Sequence, residues 1–151
     1  FMVGPESEKT AMVRRAGRLF VTAASLRIPV FSVMLRRGYG LGAMALTAGH
    51  FHAPVAIAAW PSGEFGPMGI EGSVRLGFRK ELQAAAPEER EALFQQRVAE
   101  AIEKGQALNV ASHLELDDVI DPAETRDWLA RGLSSVAGRP LPPRRAFVDA
   151  W

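Results

Sequence analysis

Two short and almost continuous apolar runs impose the strongest constraint on how this chain can fold. They are VFSVMLR (30–36) and VAIAAW (55–60), and a glycine-rich turn follows each of them. A strand that is apolar on both faces has to be covered on both faces, which is typical of parallel strands enclosed by helices. Around these runs, apolar residues recur at helical spacing over 5–26 and 87–104. Helices are also predicted over 41–50, which is apolar or small on nearly all sides, and over 70–82. The pattern therefore predicts an α/β fold with parallel strands.

The helix predicted over 87–104 has the most regular apolar face. Glu100 and Lys104 stand four residues apart on it, a spacing at which opposite charges can pair. The predicted face comprises Leu93, Val98, Ala101 and Ile102. We expect this face to pack onto the rest of the domain.

A short strand and a well-marked helix start follow near the end of the chain. The residues DVI (118–120) favour a strand. Asp121 is placed to cap a helix, Pro122 suits the first turn of that helix, and Glu124 occupies the capping-box position. Beyond this helix, the tail over 139–151 is rich in proline and arginine, and we expect it to be extended.

Composition narrows the classes of function that are open to the chain. Its 151 residues fit one domain, and its net charge of +1 gives no general attraction to nucleic acid or to anionic membranes. The chain has no cysteine, which excludes disulfides and thiolate metal sites. No apolar run approaches the roughly 20 residues that span a bilayer, so we expect a cytoplasmic protein.

The first residues, FMVG (1–4), read as the end of a strand, and we expect the chain to be part of a longer protein.

The first glycine-rich turn, GYGLGA (38–43), admits three interpretations. Its glycines can let a strand and a helix pack closely. Its G-x-G spacing also occurs in dinucleotide sites, but the full G-x-G-x-x-G is missing and no acidic residue follows until Glu64, later than such sites need. Thirdly, a strand that turns on glycine into a helix exposes main-chain N–H groups, which can stabilise an oxygen that becomes negatively charged. The residues alone leave close packing and main-chain catalysis open.

The side chains of this sequence form no obvious catalytic or metal-binding set. The histidines lack further ligands nearby, so we expect ordinary loop or surface roles for them. Capping and solvation explain the aspartates near the end of the chain. The paired arginines before the first turn could meet a phosphate, but such residues are more often solvated. The residues considered are His50, His52, His113, Asp117, Asp118, Asp121, Arg36 and Arg37.

Four blocks of the sequence resemble the carboxyltransferase subunits of biotin-dependent acyl-CoA carboxylases of the propionyl-CoA and acetyl-CoA type. In chain order they are FMVGPESEKTAMVRRAGRLF, LRRGYGLGAMA, AWPSGEFGPMGIEGSVRLGFRKEL and DDVIDPAETRDWL. The resemblance implies a crotonase or ClpP-like ββα superhelix. It also implies that residues 1–138 form the C-terminal part of the second of two carboxyltransferase domains, followed by the tail over 139–151.

The same resemblance implies a reaction and a site. A carboxyl group would move from carboxybiotin to the α-carbon of an acyl-CoA such as propionyl-CoA or acetyl-CoA. The main-chain N–H groups of Leu41 and Gly42, which follow Gly40, would form an oxyanion hole for the ureido oxygen of biotin. Met44 would line the acyl pocket, and no metal is implied in this part of the protein.

The implied partners are a biotin carboxyl carrier protein or domain, a biotin carboxylase subunit and further copies of the carboxyltransferase subunit. The domain that would stabilise the thioester enolate lies outside these residues. We therefore expect the chain alone to be inactive and to self-associate through its uncovered apolar surface. Two alternatives stay open: a subunit of a biotin-dependent acyl-CoA decarboxylase, and a non-catalytic assembly module.

Overall fold

Two helices lead into a pair of similar ββα units. The computed structural model describes residues 4–140. In each unit one strand joins a first sheet, the next strand joins a second sheet, and a helix follows. This part of the chain runs through α1 (Pro5–Glu8), α2 (Met12–Ser25), β1 (Phe31–Met34), β2 (Arg37–Tyr39), α3 (Gly40–Leu46), β3 (Ala56–Ala59), β4 (Glu64–Gly66) and α4 (Ile70–Gly77).

The remaining elements close the domain around these units. They are α5 (Arg79–Ala84), α6 (Arg90–Lys104), α7 (Ala107–Ser112), β5 (Asp118–Val119), a 3₁₀ turn (Pro122–Glu124) and α8 (Thr125–Val136). The strand predicted at 118–120 and the helix predicted over 87–104 are thereby confirmed.

Both sheets are parallel, as the sequence predicts. Strands β1, β3 and β5 form one sheet in that order, and β2 and β4 form the other. In the first sheet Phe31 pairs with Ala56, and in the second Arg37 pairs with Glu64. The two ββα units are therefore stacked side by side, with each strand of the first beside its counterpart in the second.

Strand β3 forms the centre of the core, which confirms the buried strand predicted over 55–60. Ile57 is 2% exposed, and Ala58 and Ala59 are fully buried. Ala107, also fully buried, lets α7 approach this strand closely. Large side chains from neighbouring elements complete the cluster: Phe65 and Leu116.

A second apolar cluster lies between α4, α5 and α6. On the predicted face of α6, Val98 is buried, Leu93 and Ala101 are partly covered, and Ile102 stays exposed. Phe94, which the predicted face omitted, is buried as well. The whole cluster comprises Ile70, Val74, Leu82, Phe94 and Val98.

A charged network also joins α5 to α6. The Arg97 guanidinium lies 2.5 Å from a carboxylate oxygen of Glu81 and 2.7 Å from one of Glu100. Glu100 therefore forms its close ion pair with Arg97, while Lys104, the partner that the spacing predicts, acts on it only as a weaker coulombic influence. Hydrogen bonds from Arg97 and then from Gln96 lower the pKa of Glu100 below its ordinary value.

Helix α8 is fixed on the first sheet by aromatic contacts. The indole Nε1 of Trp60 donates a hydrogen bond to Thr125 Oγ1 at 2.9 Å. The rings of Phe31 and Trp128 meet edge to face, with 6.2 Å between their centroids. A Cβ at Gly132 would stand 2.6 Å from the Phe31 ring, so only glycine lets the helix approach this closely.

Two helices are interrupted where the sequence predicts continuity. The helix predicted over 5–26 breaks at Ala11, whose left-handed φ of 56° separates α1 from α2. The hydroxyl of Thr10 bonds back to a carbonyl of the preceding turn, which ends α1 locally. The helix predicted over 70–82 is interrupted at Phe78, between α4 and α5. Apolar spacing did not reveal either break because it continues across both.

The first glycine-rich turn is shorter than predicted. The strand predicted over 30–36 ends at Met34, and a second strand, β2, begins at Arg37. The helix predicted over 41–50 starts at Gly40 and ends before Thr47, whose hydroxyl bonds to carbonyls of the last turn. Strand β2 and helix α7 were both missed, because each is too short to show an apolar period.

The predicted helix start near Asp121 is partly confirmed. Asp121 Oδ1 accepts a hydrogen bond from the N–H of Ala123 at 2.8 Å. The capping box was wrong: within residues 4–140 the side chain of Glu124 makes no hydrogen bond, because the chain first forms a 3₁₀ turn. The predicted strand end at 1–4 and the tail over 139–151 lie mostly outside the described residues.

Candidate functional site

The turn between β2 and α3 requires glycine at position 40. Gly40 has a φ of 53°, in the left-handed region that favours glycine. A Cβ on this residue would stand 2.6 Å from the carbonyl oxygen of Pro67. The second glycine-rich turn therefore lies directly against the first, and close packing explains Gly40 itself.

Packing does not account for the next two main-chain amides. The first turn of α3 contains Gly40, Leu41 and Gly42. The N–H groups of a first turn have no acceptor within the helix, because no helical turn precedes them. No side chain caps this end, and the first turn contains no acidic residue. Within residues 4–140, the N–H groups of Leu41 and Gly42 have no backbone or side-chain acceptor. Two donors at the positive end of a helix are thus available to an external oxygen.

The two residues that carry these donors lie at or near the surface. Leu41 is 64% exposed, so its side chain is not held in the core. Gly42 lies on a shallow depression of about 350 Å³ between α2 and α3. Arg37 supplies the one charge among the residues that line it, and that charge is positive. The others are Leu19, Met34, Tyr39, Ala43 and Leu46. The electrostatics of this face therefore favour an anion or a carbonyl oxygen that gains negative charge.

Met44 does not join Gly42 on this depression. Two residues along an α-helix correspond to a rotation of about 200°, which directs the two positions to different sides of α3. Met44 is half-buried, and its carbonyl accepts hydrogen bonds from the N–H groups of Thr47 and Gly49. An acyl pocket at Met44 would therefore have to lie on the other side of the helix from the depression.

The histidines occupy the loops that the sequence predicts. His50 Nδ1 accepts a hydrogen bond from the N–H of His52, and the two rings lie 5.3 Å apart. His52 Nε2 stands 3.6 Å from a carboxylate oxygen of Glu115. His113 follows the last residue of α7. The part of the chain that the structure describes has no group of three or more His, Asp or Glu side chains placed to hold a metal ion.

Among the remaining side-chain candidates, Asp117 has a structural role. Asp117 Oδ2 accepts a hydrogen bond from the N–H of Ile57 at 2.8 Å, and the N–H of Asp117 donates to the carbonyl of Ile57 at 3.0 Å. Asp117 thus fastens the approach to β5 onto β3. Asp118 is the first residue of β5. The carbonyl of Arg36 accepts a hydrogen bond from the N–H of Glu64. Sequence reasoning missed the apolar lining residues Leu19, Met34 and Tyr39, whose pattern resembles that of any core.

The fold defines a class of protein. Stacked ββα units with parallel strands are features of a crotonase-like carboxyltransferase domain. Similarity to a solved structure supports this assignment. That structure is a single-chain, multi-domain long-chain acyl-CoA carboxylase, with a TM-score of 0.75 and 53% sequence identity over 87% of this chain and 13% of the other.

The family follows from the sequence match. The model of the carboxyl transferase domain family matches residues 1–146, and the chain belongs to this family. The 12S subunit of methylmalonyl-CoA carboxyltransferase from Propionibacterium freudenreichii subsp. shermanii is 34% identical over 91% of this chain. The β6 subunit of a biotin-dependent acetyl-/propionyl-CoA carboxylase from Mycobacterium tuberculosis is 32% identical over 92% of it.

The chain is much shorter than these relatives. It spans 26% of the Propionibacterium protein and 29% of the mycobacterial one. Among its helices within residues 4–140, none has the length and apolar character needed to cross a membrane.

Proposed function

We propose that this chain is the biotin-facing part of an acyl-CoA carboxyltransferase. The observation that carries the proposal is the pair of main-chain donors, Leu41 and Gly42, on a chain of the carboxyl transferase family. The proposed reaction moves a carboxyl group from biotin to the α-carbon of an acyl-CoA.

In this proposal the two amides hold an oxygen as it gains negative charge. Each N–H donates one hydrogen bond, and the positive end of α3 adds to the attraction. The gain is differential, because the interaction strengthens as charge develops on the oxygen. Loss of one such donor typically costs about 3 kcal/mol of transition-state stabilisation. Gly40 positions the pair by holding the turn against Pro67.

The donor set fits the ureido group of biotin. A ureido oxygen is an acceptor, and the first turn of α3 offers donors with no acid nearby to compete for them. Biotin, when bound, supplies the carboxyl group and a basic ureido nitrogen. Gly40, Leu41 and Gly42 would hold it through main-chain groups alone, so no side-chain base from this chain is required.

The proposal also concerns the length of the acyl chain on the substrate. Relatives at 32–34% identity are named for acetyl-, propionyl- or methylmalonyl-CoA, whereas the 53% identical structure belongs to a long-chain acyl-CoA carboxylase. We propose an acyl-CoA substrate with Met44 on the wall of its pocket. The higher identity favours a longer chain than the sequence resemblance implies.

We propose that the carboxyl group reaches this site on a biotin carboxyl carrier protein or domain, charged by a biotin carboxylase subunit. Further copies of the subunit would complete the assembly. Exposed apolar side chains on several elements support this, among them Val13, Leu46, Leu76 and Leu108. The isolated chain should accordingly self-associate, and sedimentation velocity should show a sedimentation coefficient that rises with concentration. A monomer at all concentrations would contradict that part of the proposal.

The reaction is tested in the complete carboxyltransferase subunit that carries this sequence. With ATP, bicarbonate, biotin carboxylase and carrier, labelled bicarbonate should enter propionyl-CoA or palmitoyl-CoA, and the ratio of the two rates gives the chain-length preference. The 151-residue chain assayed alone should transfer nothing, because the relatives are more than three times as long. Incorporation into neither acyl-CoA by the complete subunit would sink the proposal.

A second candidate is suggested by the similarity to methylmalonyl-CoA carboxyltransferase. Such an enzyme would take the carboxyl group from one acyl-CoA, without ATP, and pass it on through biotin. Label transfer from methylmalonyl-CoA in the absence of ATP would favour it. Sodium-dependent release of CO₂ would instead favour a decarboxylase, and no turnover of any kind would favour an assembly module.

A further inference from the structure

A groove rich in arginine lies between α4, the helix of the second unit, and the following helices α5 and α6. It has a volume of about 260 Å³. Its floor is apolar, and its walls carry three guanidinium groups and one carboxylate. The residues that line it are Arg75, Arg79, Leu82, Gln83, Arg90, Glu91 and Phe94, and we call it the arginine groove.

Arg75 is held in place without using its donors. Its guanidinium carbon lies 4.2 Å from the centre of the Phe94 ring. Phe94 is buried, so the ring is a fixed platform for the cation. Within residues 4–140, Arg75 has no hydrogen bond or ion pair, which leaves the N–H groups of its guanidinium available.

Arg90 is fixed by main-chain acceptors. Its Nε donates to the carbonyl of Leu82 at 2.8 Å, and its Nη2 donates to the carbonyl of Ala85 at 3.2 Å. These bonds satisfy carbonyls at the end of α5 and orient the guanidinium without cancelling its charge. Its Nη1 has no acceptor among the described residues.

Charge in the groove is poorly compensated. Arg79 is exposed and has no hydrogen bond or ion pair with residues 4–140. Glu91, the one acid of the lining, accepts a hydrogen bond from Gln95 at 2.8 Å. The groove therefore concentrates positive charge on a chain whose net charge is only +1.

We propose that the arginine groove binds a small molecule that carries more than one phosphate group. A guanidinium presents a planar fork that matches two oxygens of a phosphate, and it stays charged at all physiological pH values. Three such groups around one concavity suit a diphosphate better than a single anion. Two of them are already oriented by Phe94 and by backbone carbonyls, which reduces the entropy lost on binding. The proposal does not depend on carboxyl transfer.

The test is a calorimetric titration of inorganic diphosphate into the full 151-residue chain at low ionic strength. Arg79→Gln should weaken binding by about tenfold or more, because it removes one charge-assisted fork. Arg131→Gln is the matched control, since Arg131 is an exposed arginine on α8 that does not line the groove. The affinity of this variant for diphosphate should stay within about twofold of the parent. Arg79 makes no contact that stabilises the fold, so the melting temperature of Arg79→Gln should match the parent.

Two further ligands identify the source of the phosphates. Tighter binding of 3′,5′-ADP or coenzyme A than of diphosphate would support the proposal with a nucleotide as ligand, and equal binding would support it with free diphosphate. Absence of diphosphate binding, or equal losses in Arg79→Gln and Arg131→Gln, would overturn it. Binding of a poly-aspartate peptide but not of diphosphate would also overturn it, and would indicate a protein partner. None of these readouts requires turnover, so failure here is distinct from failure of the proposed function.

Discussion

The two ββα units place chemically different groups at equivalent positions. In the first, α3 starts directly after strand β2, with Gly40 in a left-handed conformation. In the second, residues 67–69 separate β4 from α4. Helix α3 has no acid in its first turn, whereas α4 carries Glu71 there. The same architecture therefore leaves a bare positive helix end in one unit and places a carboxylate beside that end in the other.

This difference supports the proposal of an oxyanion site in the first unit and not in the second. An acid in the first turn competes with an external anion for the helix end. Absence of that acid in α3, together with the unpaired amides of Leu41 and Gly42, supports the proposal that an oxyanion binds in the first unit. The second unit contacts this turn through the carbonyl of Pro67, which lies against Gly40.

The largest expected effect is a loss of turnover when a main-chain donor of the first unit is removed, compared with the same change in the second unit. Gly42 and Gly72 are both third residues of their helices, so proline at either position removes the corresponding N–H. In the complete carboxyltransferase subunit, Gly42→Pro should lower turnover by about 10²-fold or more, as loss of an oxyanion donor typically does.

Gly72→Pro is the matched control for the effect of the ring on a helix start. A Cβ at Gly72 would have Met68 Sδ as its nearest neighbour, at 3.9 Å, so there is room for a side chain. This variant should keep turnover within about tenfold of the parent. Equal turnover in the two variants would show that the units do not differ in the way described, and would favour an assembly role.

The next effect concerns stability. Gly40→Ala places a Cβ against the carbonyl of Pro67 at a positive φ, and should lower the free energy of unfolding by about 1–3 kcal/mol. Gly77→Ala in α4, where a Cβ meets nothing within 4 Å, should be neutral or stabilising. Urea titrations of both variants measure the difference, and a Gly40→Ala protein as stable as the parent would show that the two turns are not locked together.

A smaller effect is expected from the side chain that precedes Gly42. Leu41→Ala keeps the main-chain N–H and removes only an exposed side chain. Turnover in the complete subunit should change by less than about threefold, because the donor is retained. A loss comparable to that of Gly42→Pro would mean that the leucine side chain, not the amide, carries the function.

The smallest expected effect is a response to acid confined to α5 and α6, the two helices that pack beside the second unit. The hydrogen bond from Arg97 lowers the pKa of Glu100 below its ordinary value in the folded protein. Its contribution to stability is therefore complete above about pH 4.5 and is lost as the pH falls through the lowered pKa. Amide hydrogen exchange in α5 and α6 should accelerate in that range, and Glu100→Gln should remove part of the change. An identical acceleration in α3 would contradict the assignment.

Sequence patterns predict those parts of the fold that depend on long apolar runs. The buried strand β3 and the amphipathic helix α6 follow from their periods, and the cap at Asp121 follows from its chemistry. Strand β2 was missed because it has only three residues, one of them glycine, and so shows no alternation of apolar and polar side chains. The two-unit repeat was missed as well, because the repeated feature is backbone topology and the two sequences share little beyond their glycines.

The candidate site was even less accessible to pattern reasoning. Main-chain donors leave no residue type to recognise, so Leu41 and Gly42 came from the family resemblance and not from their chemistry. The arginine groove escaped notice because Arg75, Arg79 and Arg90 meet only once α4, α5 and α6 have packed.

The most direct test of the proposed oxyanion site is to observe the amides of Leu41 and Gly42. A ¹⁵N-labelled sample of the chain is titrated with biotin, and the amide resonances of both units are followed. The N–H signals of Leu41 and Gly42 should shift the most, while those of Glu71 and Gly72 stay in place. Shifts that spare Leu41 and Gly42, or that affect both helix ends equally, would contradict the claim that the first unit alone holds the ureido oxygen.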